Sequence, residues 1–173
     1  MLKITKTYIK DLLITDGKQH NDNRGYLREL TSEKEIGNKF KFTIVSKSKK
    51  NVLRGLHFQK KKPQGKYLSV LKGEIFDVAL DCRPMSKTFG KHFKILLSDK
   101  NNKSIFIPPG FAHGFLCLKE ENIIVYSCTN YRDKKSEAGI QWNDPSLKIK
   151  WPIKKPILSL KDKNNLSFNF YFN

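Results

Sequence analysis

Alternating hydrophobic and polar positions recur along the chain in short runs. The runs are rich in β-branched and aromatic residues, which is typical of half-buried strands, and they read FKFTIVS, YLSVL, EIFDVALDC, FKILLS, SIFIPP and NIIVYSCTNY. Clusters of Gly, Pro, Asn, Asp and Lys separate them at roughly 8- to 14-residue intervals, the spacing of a sandwich or a barrel. The pattern predicts a mostly β protein, best described as an antiparallel jelly-roll barrel.

Helical patterns are confined to two short, peripheral segments. One runs from Ser32 to Asn38, with Thr31 or Ser32 as its N-cap, and the other from Lys161 to Leu166. The Asn-rich tail after Lys163 is only weakly patterned. Because neither a repeat nor a low-complexity linker divides the 173 residues, we expect a single domain over residues 1–173.

Strand alternation also predicts which charged side chains face the barrel interior. Asp77 lies on the opposite face from its apolar neighbours Phe76 and Val78, so it is a candidate interior carboxylate. Lys66 has the parity of Leu68 and would point inward with it, where a lysine needs a charge partner.

The charge balance is strongly basic. Lys and Arg number 34 against 16 Asp and Glu, a formal net charge of +18 that attracts polyanions at low salt. The lysines are nevertheless spread along the chain, and neither a zinc-finger spacing nor an RNP-like aromatic motif occurs, so we do not expect specific nucleic-acid binding. A solvated lysine surface, with a few cations acting on an anionic ligand, is the better interpretation.

The chain shows no feature of export or membrane insertion. No run approaches 18 apolar residues and the first residues, MLKITKTYIKDLL, lack a signal-peptide pattern, so we expect a cytoplasmic protein without a membrane partner. Cys82, Cys117 and Cys128 have no CxxC spacing and lie in apolar or alternating runs. We interpret them as reduced core residues.

Two of the four histidines lie in apolar surroundings. These are His57, in NVLRGLHFQ, and His113, in IPPGFAHGF; each is either a neutral core imidazole bonded to a backbone carbonyl or a functional group. A metal site is not expected, because Gln59 stands where a second histidine ligand would be needed. Arg54 and His57 are three apart and share a face only if a bulge at Gly55 shifts the strand parity.

A series of ordered motifs covers nearly the whole chain. The motifs are Asp22-x-Arg24-Gly25 with Glu29, Val52-Leu53-Arg54-Gly55-Leu56-His57-Phe58-Gln59, Gly65-Lys66, Gly73-Glu74-x-x-Asp77-Val78-Ala79-x-Asp81-x-Arg83, Ser86-x-Thr88-Phe89-Gly90, Ile107-Pro108-x-Gly110-Phe111-Ala112-His113-Gly114-Phe115, Tyr126-x-x-Thr129-x-Tyr131, Glu137, Trp142-Asn143-Asp144-Pro145, Trp151-Pro152 and Leu158-Ser159-x-Lys161-Asp162. In these motifs the chain resembles the dTDP-4-dehydrorhamnose 3,5-epimerase family of dTDP-L-rhamnose biosynthesis.

The resemblance implies a cupin-like barrel that works without metal or cofactor on a nucleoside-diphosphate sugar. It further implies a homodimer whose subunits exchange an N-terminal strand. By this resemblance His57 is the general base, Asp162 holds its ring, Tyr126 is the acid on the opposite face of the sugar, and Lys66 stabilises the enolate. The substrate-binding residues that it implies are Arg24 (in the neighbour's site), Glu29, Ser46, Arg54, Gln59, Asp77, His113, Glu137 and Lys161.

The chemistry of such an epimerisation requires these residue types. A ketone at C4 acidifies the protons at C3 and C5, so a histidine near neutrality can remove them if the enolate is stabilised. A cation such as Lys66 meets that need, and a phenol on the other face returns a proton to invert the centre. A carboxylate bonded to the imidazole fixes its tautomer and raises its basicity.

The chain departs from the family at three positions that we regard as candidates for specificity. Members usually carry Gln and Asn where this chain has Phe42 and Ile44, and an aromatic where it has Arg132. Phe42 and Ile44 have the parity of Ser46, so they would make one interior wall apolar, unless the strand register is slipped by one residue. Loss of the hydrogen bonds that Gln and Asn side chains can make to a substrate can change which sugar or base is preferred.

The leading hypothesis is epimerisation at C3 and C5 of dTDP-4-dehydro-6-deoxyglucose, giving dTDP-4-dehydrorhamnose. The alternatives with the same chemistry are a C3-only or C5-only epimerase and a ketoisomerase or epimerase acting on another nucleotide sugar, for example a GDP-linked 4-keto sugar. A non-catalytic sugar-nucleotide binding module is the alternative from a different class.

Overall fold

The computed structural model describes residues 2–172 and is built mainly from strands. In chain order the strands are β1 (Leu2–Lys6), β2 (Leu13–Gly17), β3 (Gln19–Asp22), β4 (Gly25–Arg28), β5 (Phe42–Ser48), β6 (Leu53–Gln59), β7 (Lys66–Lys72), β8 (Glu74–Asp81), β9 (His92–Ser98), β10 (Lys103–Ile107), β11 (Phe111–Cys117), β12 (Asn122–Cys128) and β13 (Glu137–Gly139). Three short helices accompany them, α1 (Glu33–Ile36), α2 (Leu160–Lys163) and α3 (Phe168–Phe172).

Two antiparallel sheets form the body of the barrel. The six-stranded sheet has the order β1-β2-β10-β7-β12-β5, and the five-stranded sheet has the order β13-β6-β11-β8-β9. Strands distant in sequence are neighbours, as when β10 lies between β2 and β7, which is the connectivity expected of a jelly roll rather than of a meander. The predicted antiparallel jelly-roll barrel is confirmed.

The main hydrophobic core fills the space between the sheets. Leu68 and Ile124 contribute to it from the six-stranded sheet, and Ile75 and Phe115 from the five-stranded sheet. Because alternate residues of a strand share a face, Asp77 points into the same interior as Ile75, as its parity predicts.

A second core lies on the outside of the five-stranded sheet. Val78 and Leu80, which alternate with the interior residues of β8, pack there against Leu147 and Phe168 of the C-terminal segment. The C-terminal segment therefore seals the back of the sheet that carries His57.

The helices agree with the sequence pattern at two of three places. Ser32 caps α1 by accepting from the Glu35 amide, and α2 begins one residue before the second predicted segment and overlaps its first half. The tail after Lys163 is more ordered than its pattern indicates, because Phe168 and Phe172 of α3 pack against Phe89. These aromatic contacts are tertiary, so the local sequence does not reveal them.

The strands before residue 30, and also β11 and β13, were not among the predicted runs. β1 and β2 extend the edge of the six-stranded sheet, and β3 and β4 form a separate two-stranded hairpin with its turn at Asn23 and Arg24. Cys82, Cys117 and Cys128 are buried free thiols, as predicted. Within residues 2–172 no helix has the length and apolar character needed to cross a membrane.

Candidate active site

His57 and Asp162 form a close pair at one end of the barrel. The Nε2 atom of His57 lies 2.5 Å from Oδ1 of Asp162, a carboxylate that is only 5% exposed, whereas the imidazole is 36% exposed. A buried carboxylate on one ring nitrogen fixes the tautomer and leaves the rest of the ring open to a ligand.

The short helix α2 holds Asp162 in place. Ser159 caps the helix by accepting from the Asp162 amide, and its hydroxyl donates to Asp162 Oδ2 over 2.9 Å. Asn165 donates to Oδ1 over 3.5 Å. Burial acts to raise the pKa of Asp162, but the hydrogen bonds from His57, Ser159 and Asn165 outweigh it and leave this pKa below its ordinary value. Asp162 is thus an ionised partner for the imidazole.

A bulge at Gly55 places Arg54 and His57 on the same interior face. His57 pairs with His113 and Arg54 pairs with Phe115, so three steps on β6 match two on β11. Gly55 has φ +121°, and a Cβ atom there would lie 2.5 Å from the Gly114 Cα atom, so only glycine fits the bulge. Arg54 remains exposed at the end of the strand and donates from Nε to Ser48 over 3.0 Å.

Tyr126 and Lys66 face His57 from the opposite sheet. Tyr126 packs against the interior core, and Lys66 pairs with Cys128 two residues further along the same face of β12. Burial lowers the pKa of Lys66, and nearby acidic groups, Asp77 among them, act in the opposite direction. Lys66 and His57 border one small cleft, with Gln64 and Glu137 at its edge.

His113 and Asp77 form a second, fully internal pair. His113 Nε2 lies 2.7 Å from Asp77 Oδ2, and the two side chains are 6% and 0% exposed. The other carboxylate oxygen, Oδ1, is buried without a hydrogen-bond partner among the described residues. A buried oxygen in that state is costly unless a water or ligand atom satisfies it.

Strand β5 supplies the wall beside Tyr126. Ile44 pairs with Tyr126, and Phe42 and Ser46 flank it on the same face, so the register is not slipped and the wall is apolar as predicted. The Phe42 ring stacks on Tyr131, with centroids 6.0 Å apart and planes 9° from parallel. The Ser46 hydroxyl is buried and has no hydrogen-bond partner within residues 2–172.

The rim next to His57 is formed by β13 and the loop before it. Glu137 of β13 binds both Arg132 and Lys161. Gln59 lies beside the cleft, but its amide donates to the Lys62 carbonyl and accepts from the Asp133 amide. Its visible function in this chain is to hold two loops together.

Two predicted binding residues lie away from this cluster. Arg24 occupies the tip of the β3–β4 hairpin, where its 85% exposed side chain pairs with Asp22. Glu29 is exposed directly after β4. Nor do three or more His, Cys, Asp or Glu side chains in the described part of the chain come together as a group that could hold a metal ion.

Sequence reasoning missed several supporting residues. Ser159 and Asn165 fix Asp162, and Ser48 orients Arg54. The Ser159-x-x-Asp162 spacing is a capping signal that could have located the start of α2. The contact between Ser48 of β5 and Arg54 of β6 depends on tertiary folding and leaves no local signal, whereas Asn165 lies only three residues after Asp162.

The arrangement suits proton transfer on both faces of a bound ring. A histidine held by a carboxylate lies on the wall of the five-stranded sheet, and a phenol and an ammonium group lie on the wall of the six-stranded sheet.

Comparisons with known proteins agree with this geometry. Residues 6–169 match the sequence model of the family dTDP-4-dehydrorhamnose 3,5-epimerase. The chain is 46% identical over 170 residues to the dTDP-4-dehydrorhamnose 3,5-epimerase of Salmonella typhimurium, covering 94% of this chain and 93% of the relative. It is 43% identical over 170 residues to that of Methanothermobacter thermautotrophicus, covering 94% and 92%.

A solved structure shows that the similarity extends to the fold. The dTDP-6-deoxy-D-glucose-3,5-epimerase of Legionella pneumophila, determined in complex with dTDP-4-keto-L-rhamnose, superposes with a TM-score of 0.93 at 40% identity, covering 98% of this chain and 94% of that one. The chain therefore belongs to the dTDP-4-dehydrorhamnose 3,5-epimerase family.

Proposed function

We propose that the protein epimerises dTDP-4-dehydro-6-deoxyglucose at C3 and C5, giving dTDP-4-dehydrorhamnose. The observation that carries the proposal is the placement of the His57–Asp162 pair on one interior wall and Tyr126 with Lys66 on the wall opposite. Inversion at carbon needs a base on one face and an acid on the other, and this arrangement provides both.

In this mechanism His57 removes the proton next to the C4 ketone. Asp162, kept ionised by its hydrogen bonds, stabilises the imidazolium that forms. The ammonium group of Lys66 stabilises the negative charge that develops on the C4 oxygen, an interaction strengthened by the burial of Lys66. Tyr126 then donates a proton to the opposite face of the carbon.

Binding of the substrate is assigned to the polar groups that remain available around this centre. Arg54 at the open end of β6 suits the diphosphate. The unpartnered oxygens of Ser46 and Asp77 suit the hydroxyl groups of the sugar, with His113 holding Asp77 in place. Phe42 and Ile44 are proposed to tune the choice of nucleotide sugar.

We further propose a homodimer in which the N-terminal segment of each subunit completes its neighbour's site, with Arg24 and Glu29 as the contributed residues. The hairpin supports this, because Arg24, Tyr26 and Leu27 are all exposed at its end, with Leu27 76% exposed. Mixing inactive Arg24→Ala and His57→Ala proteins would restore part of the activity if sites are shared, and none if each subunit is self-sufficient. Three buried free thiols suit the cytoplasm, where we place the protein.

The test of the activity is proton NMR in D₂O with dTDP-4-dehydro-6-deoxyglucose and a reductase that traps the product. Deuterium at both C3 and C5 with an L-rhamno product is expected. Exchange at one carbon would instead indicate a single-centre epimerase. Absence of exchange would point to another nucleotide sugar, as Phe42 and Ile44 allow, or, if no nucleotide sugar reacts, to a binding module.

Tyr126→Phe separates the two half-reactions. Because His57 is unchanged, solvent exchange at the carbon that it deprotonates should continue, while formation of inverted product falls by about 100-fold. The measurement follows deuterium content and product stereochemistry in the same NMR sample. A variant that inverts at the wild-type rate would remove Tyr126 from the mechanism.

A further inference from the structure

The carboxylate of Glu137 is held by two cations from different parts of the chain. Arg132 donates from Nε to Oε1 over 2.5 Å and from Nη2 to Oε2 over 3.0 Å. Lys161 donates from Nζ to Oε2 over 3.0 Å. Glu137 is only 20% exposed, and both of its oxygens are engaged. The hydrogen bonds from Arg132 lower the pKa of Glu137 to about 2, and Lys161 adds to this effect, while burial opposes it.

This ion-pair cluster joins β13 to the segment that carries Asp162. Lys161 is the residue before Asp162 in the four-residue helix α2, and Glu137 pairs with Gln59 on β6, two residues from His57. Asn165, which donates to Asp162, packs directly over Gly139 of β13. The cluster therefore connects the strand beside the base to the helix that holds the base's partner.

From these contacts we propose that Arg132 is a positioning residue: by fixing the Glu137 carboxylate it fastens Lys161 and α2, and so sets the geometry of the His57–Asp162 hydrogen bond. The inference rests on the proposed function, in which His57 is the base. Arg132 touches neither His57 nor Asp162 in any hydrogen bond of the described residues, so its effect passes through Glu137 and Lys161.

An arginine is suited to this function, and a lysine is not. An exposed Lys–Glu pair alone contributes little because solvent screens it and the side chains lose entropy. A planar guanidinium that binds both carboxylate oxygens fixes their orientation as well as their charge. Small errors in the placement of a catalytic group lower the rate considerably, so we expect Arg132→Gln to lower kcat by about 10-fold.

Three variants separate geometry from charge. Arg132→Gln removes both the charge and the two-point contact, Arg132→Lys keeps the charge alone, and Lys134→Gln removes a charge from an exposed position two residues along the same loop. We expect kcat to fall about 10-fold in Arg132→Gln and about 3-fold in Arg132→Lys, and to be unchanged in Lys134→Gln. A rise in KM at unchanged kcat would mean that Arg132 contacts the substrate, and wild-type kinetics in Arg132→Lys would mean that charge suffices; either result overturns the inference.

The direction in which the pH profile of kcat/KM shifts in Arg132→Gln distinguishes a loosened Asp162 contact from the mere loss of a positive charge. If the Asp162 contact is loosened, the imidazolium of His57 loses stabilisation, and the acidic limb of kcat/KM moves to lower pH. If only a nearby positive charge is lost, the imidazolium is favoured and the limb moves to higher pH. A shift to lower pH in Arg132→Gln, absent from Lys134→Gln, is expected; a shift to higher pH in both would contradict the inference.

A readout without substrate distinguishes this inference from the function on which it rests. In protein carrying ¹⁵N-labelled histidine, the Nε2 resonance of His57 should shift in both Arg132 variants and remain in place in Lys134→Gln. An unchanged resonance in Arg132→Gln would overturn the inference even if the enzyme is an epimerase. Conversely, a wild-type protein that exchanges no sugar proton would refute the proposed function, while the resonance still decides whether Arg132 positions the pair.

Discussion

The hydrogen bond between His57 and Asp162 joins residues 105 positions apart and determines how well the imidazole acts as a base. Asp162→Asn keeps the size of the side chain but removes the charge that stabilises the imidazolium, so we expect exchange at the sugar to slow by about 100-fold or more. Initial rates of deuterium entry at C3 and C5 measure the effect. Near-normal exchange would show that the carboxylate is dispensable.

Ser159→Ala is the matched control for this pair. It removes one hydrogen bond to Oδ2 of Asp162 and the helix cap, but leaves the carboxylate and its contact with His57. We expect a loss of about 3-fold in the exchange rate and of about 1 kcal/mol in the free energy of unfolding. If both variants lost activity equally, the effect would be one of helix placement rather than charge.

Individual site residues were predictable where a strand is regular. The parity of β7 and β8 placed Lys66 and Asp77 in the interior from sequence alone. The shared face of Arg54 and His57 could only be stated as a condition, because a bulge is defined by the partner strand as well as by its own residues. The ligand contact of Gln59, which the resemblance implies, stays a prediction; the bonds of its amide to two loops were not predicted from the sequence.

At the scale of the element, β5 offers a test of specificity. Its interior face presents Phe42 and Ile44 beside Tyr126, where an amide could bind substrate oxygens. Ile44→Asn should lower KM for the dTDP sugar by about 3- to 10-fold, because it supplies a hydrogen bond to a polar ligand at a partly exposed site. Val45→Asn, on the outer face of the same strand, is the control and should leave KM unchanged. A raised KM in Ile44→Asn would indicate that the native ligand packs against an apolar wall.

The turn after β8 is organised around the buried carboxylate of Asp81. Arg83 binds it at two points, and the hydroxyl groups of Ser86 and Thr88 donate to Oδ2 over 2.6 and 2.7 Å. Burial acts to raise the pKa of Asp81, but these hydrogen bonds outweigh it and lower this pKa to about 2. The turn is therefore tied to the sheet by an ionised group.

Asp81 should contribute to acid stability with a defined sign. Because its pKa is depressed in the folded state, its contribution is complete above the ordinary value of 3.8 and is lost as the pH falls to about 2. Asp81→Asn should lower the free energy of unfolding by about 3 kcal/mol at neutral pH and flatten its pH dependence in that window. Urea titrations at several pH values measure this, with Thr88→Val as a milder control; an unchanged slope would exclude Asp81 as the titrating group.

Short elements were the hardest to predict because their stability is not local. The runs of β5, β7, β8, β9, β10 and β12 alternate clearly and were found, whereas β1 to β4 contain isolated apolar residues that gain partners only at a sheet edge or in a hairpin. Helix α3 likewise depends on Phe168 and Phe172 packing against Phe89. The local pattern identifies most strands of the two sheets, whereas β1 to β4 and α3 form only through tertiary contacts.

At the scale of the whole molecule, only part of the net charge of +18 lies where it can attract a ligand to the cleft. Two loops lie beside the cleft of His57 and Lys66. They are held together by two hydrogen bonds: the Lys60 amide donates to the Ser136 carbonyl over 2.9 Å, and the Gln59 side chain accepts from the Asp133 amide. They form a basic rim, defined by the exposed cations Lys60, Lys61, Lys62 and Lys135. A concentration of one charge at the mouth of a cleft raises the local concentration of an anionic ligand.

The basic rim predicts that capture of a nucleoside-diphosphate sugar depends on ionic strength. Between about 10 and about 200 mM salt, kcat/KM should fall by about 10-fold with kcat unchanged, because screening acts on approach and not on the chemical step. The triple variant Lys61→Gln, Lys62→Gln, Lys135→Gln should flatten this dependence. The control, Lys148→Gln, Lys150→Gln, Lys154→Gln, removes the same charge from exposed positions of the C-terminal segment behind the five-stranded sheet and should preserve the dependence. If the two triple variants behaved alike, the total charge, and not the rim, would attract the substrate.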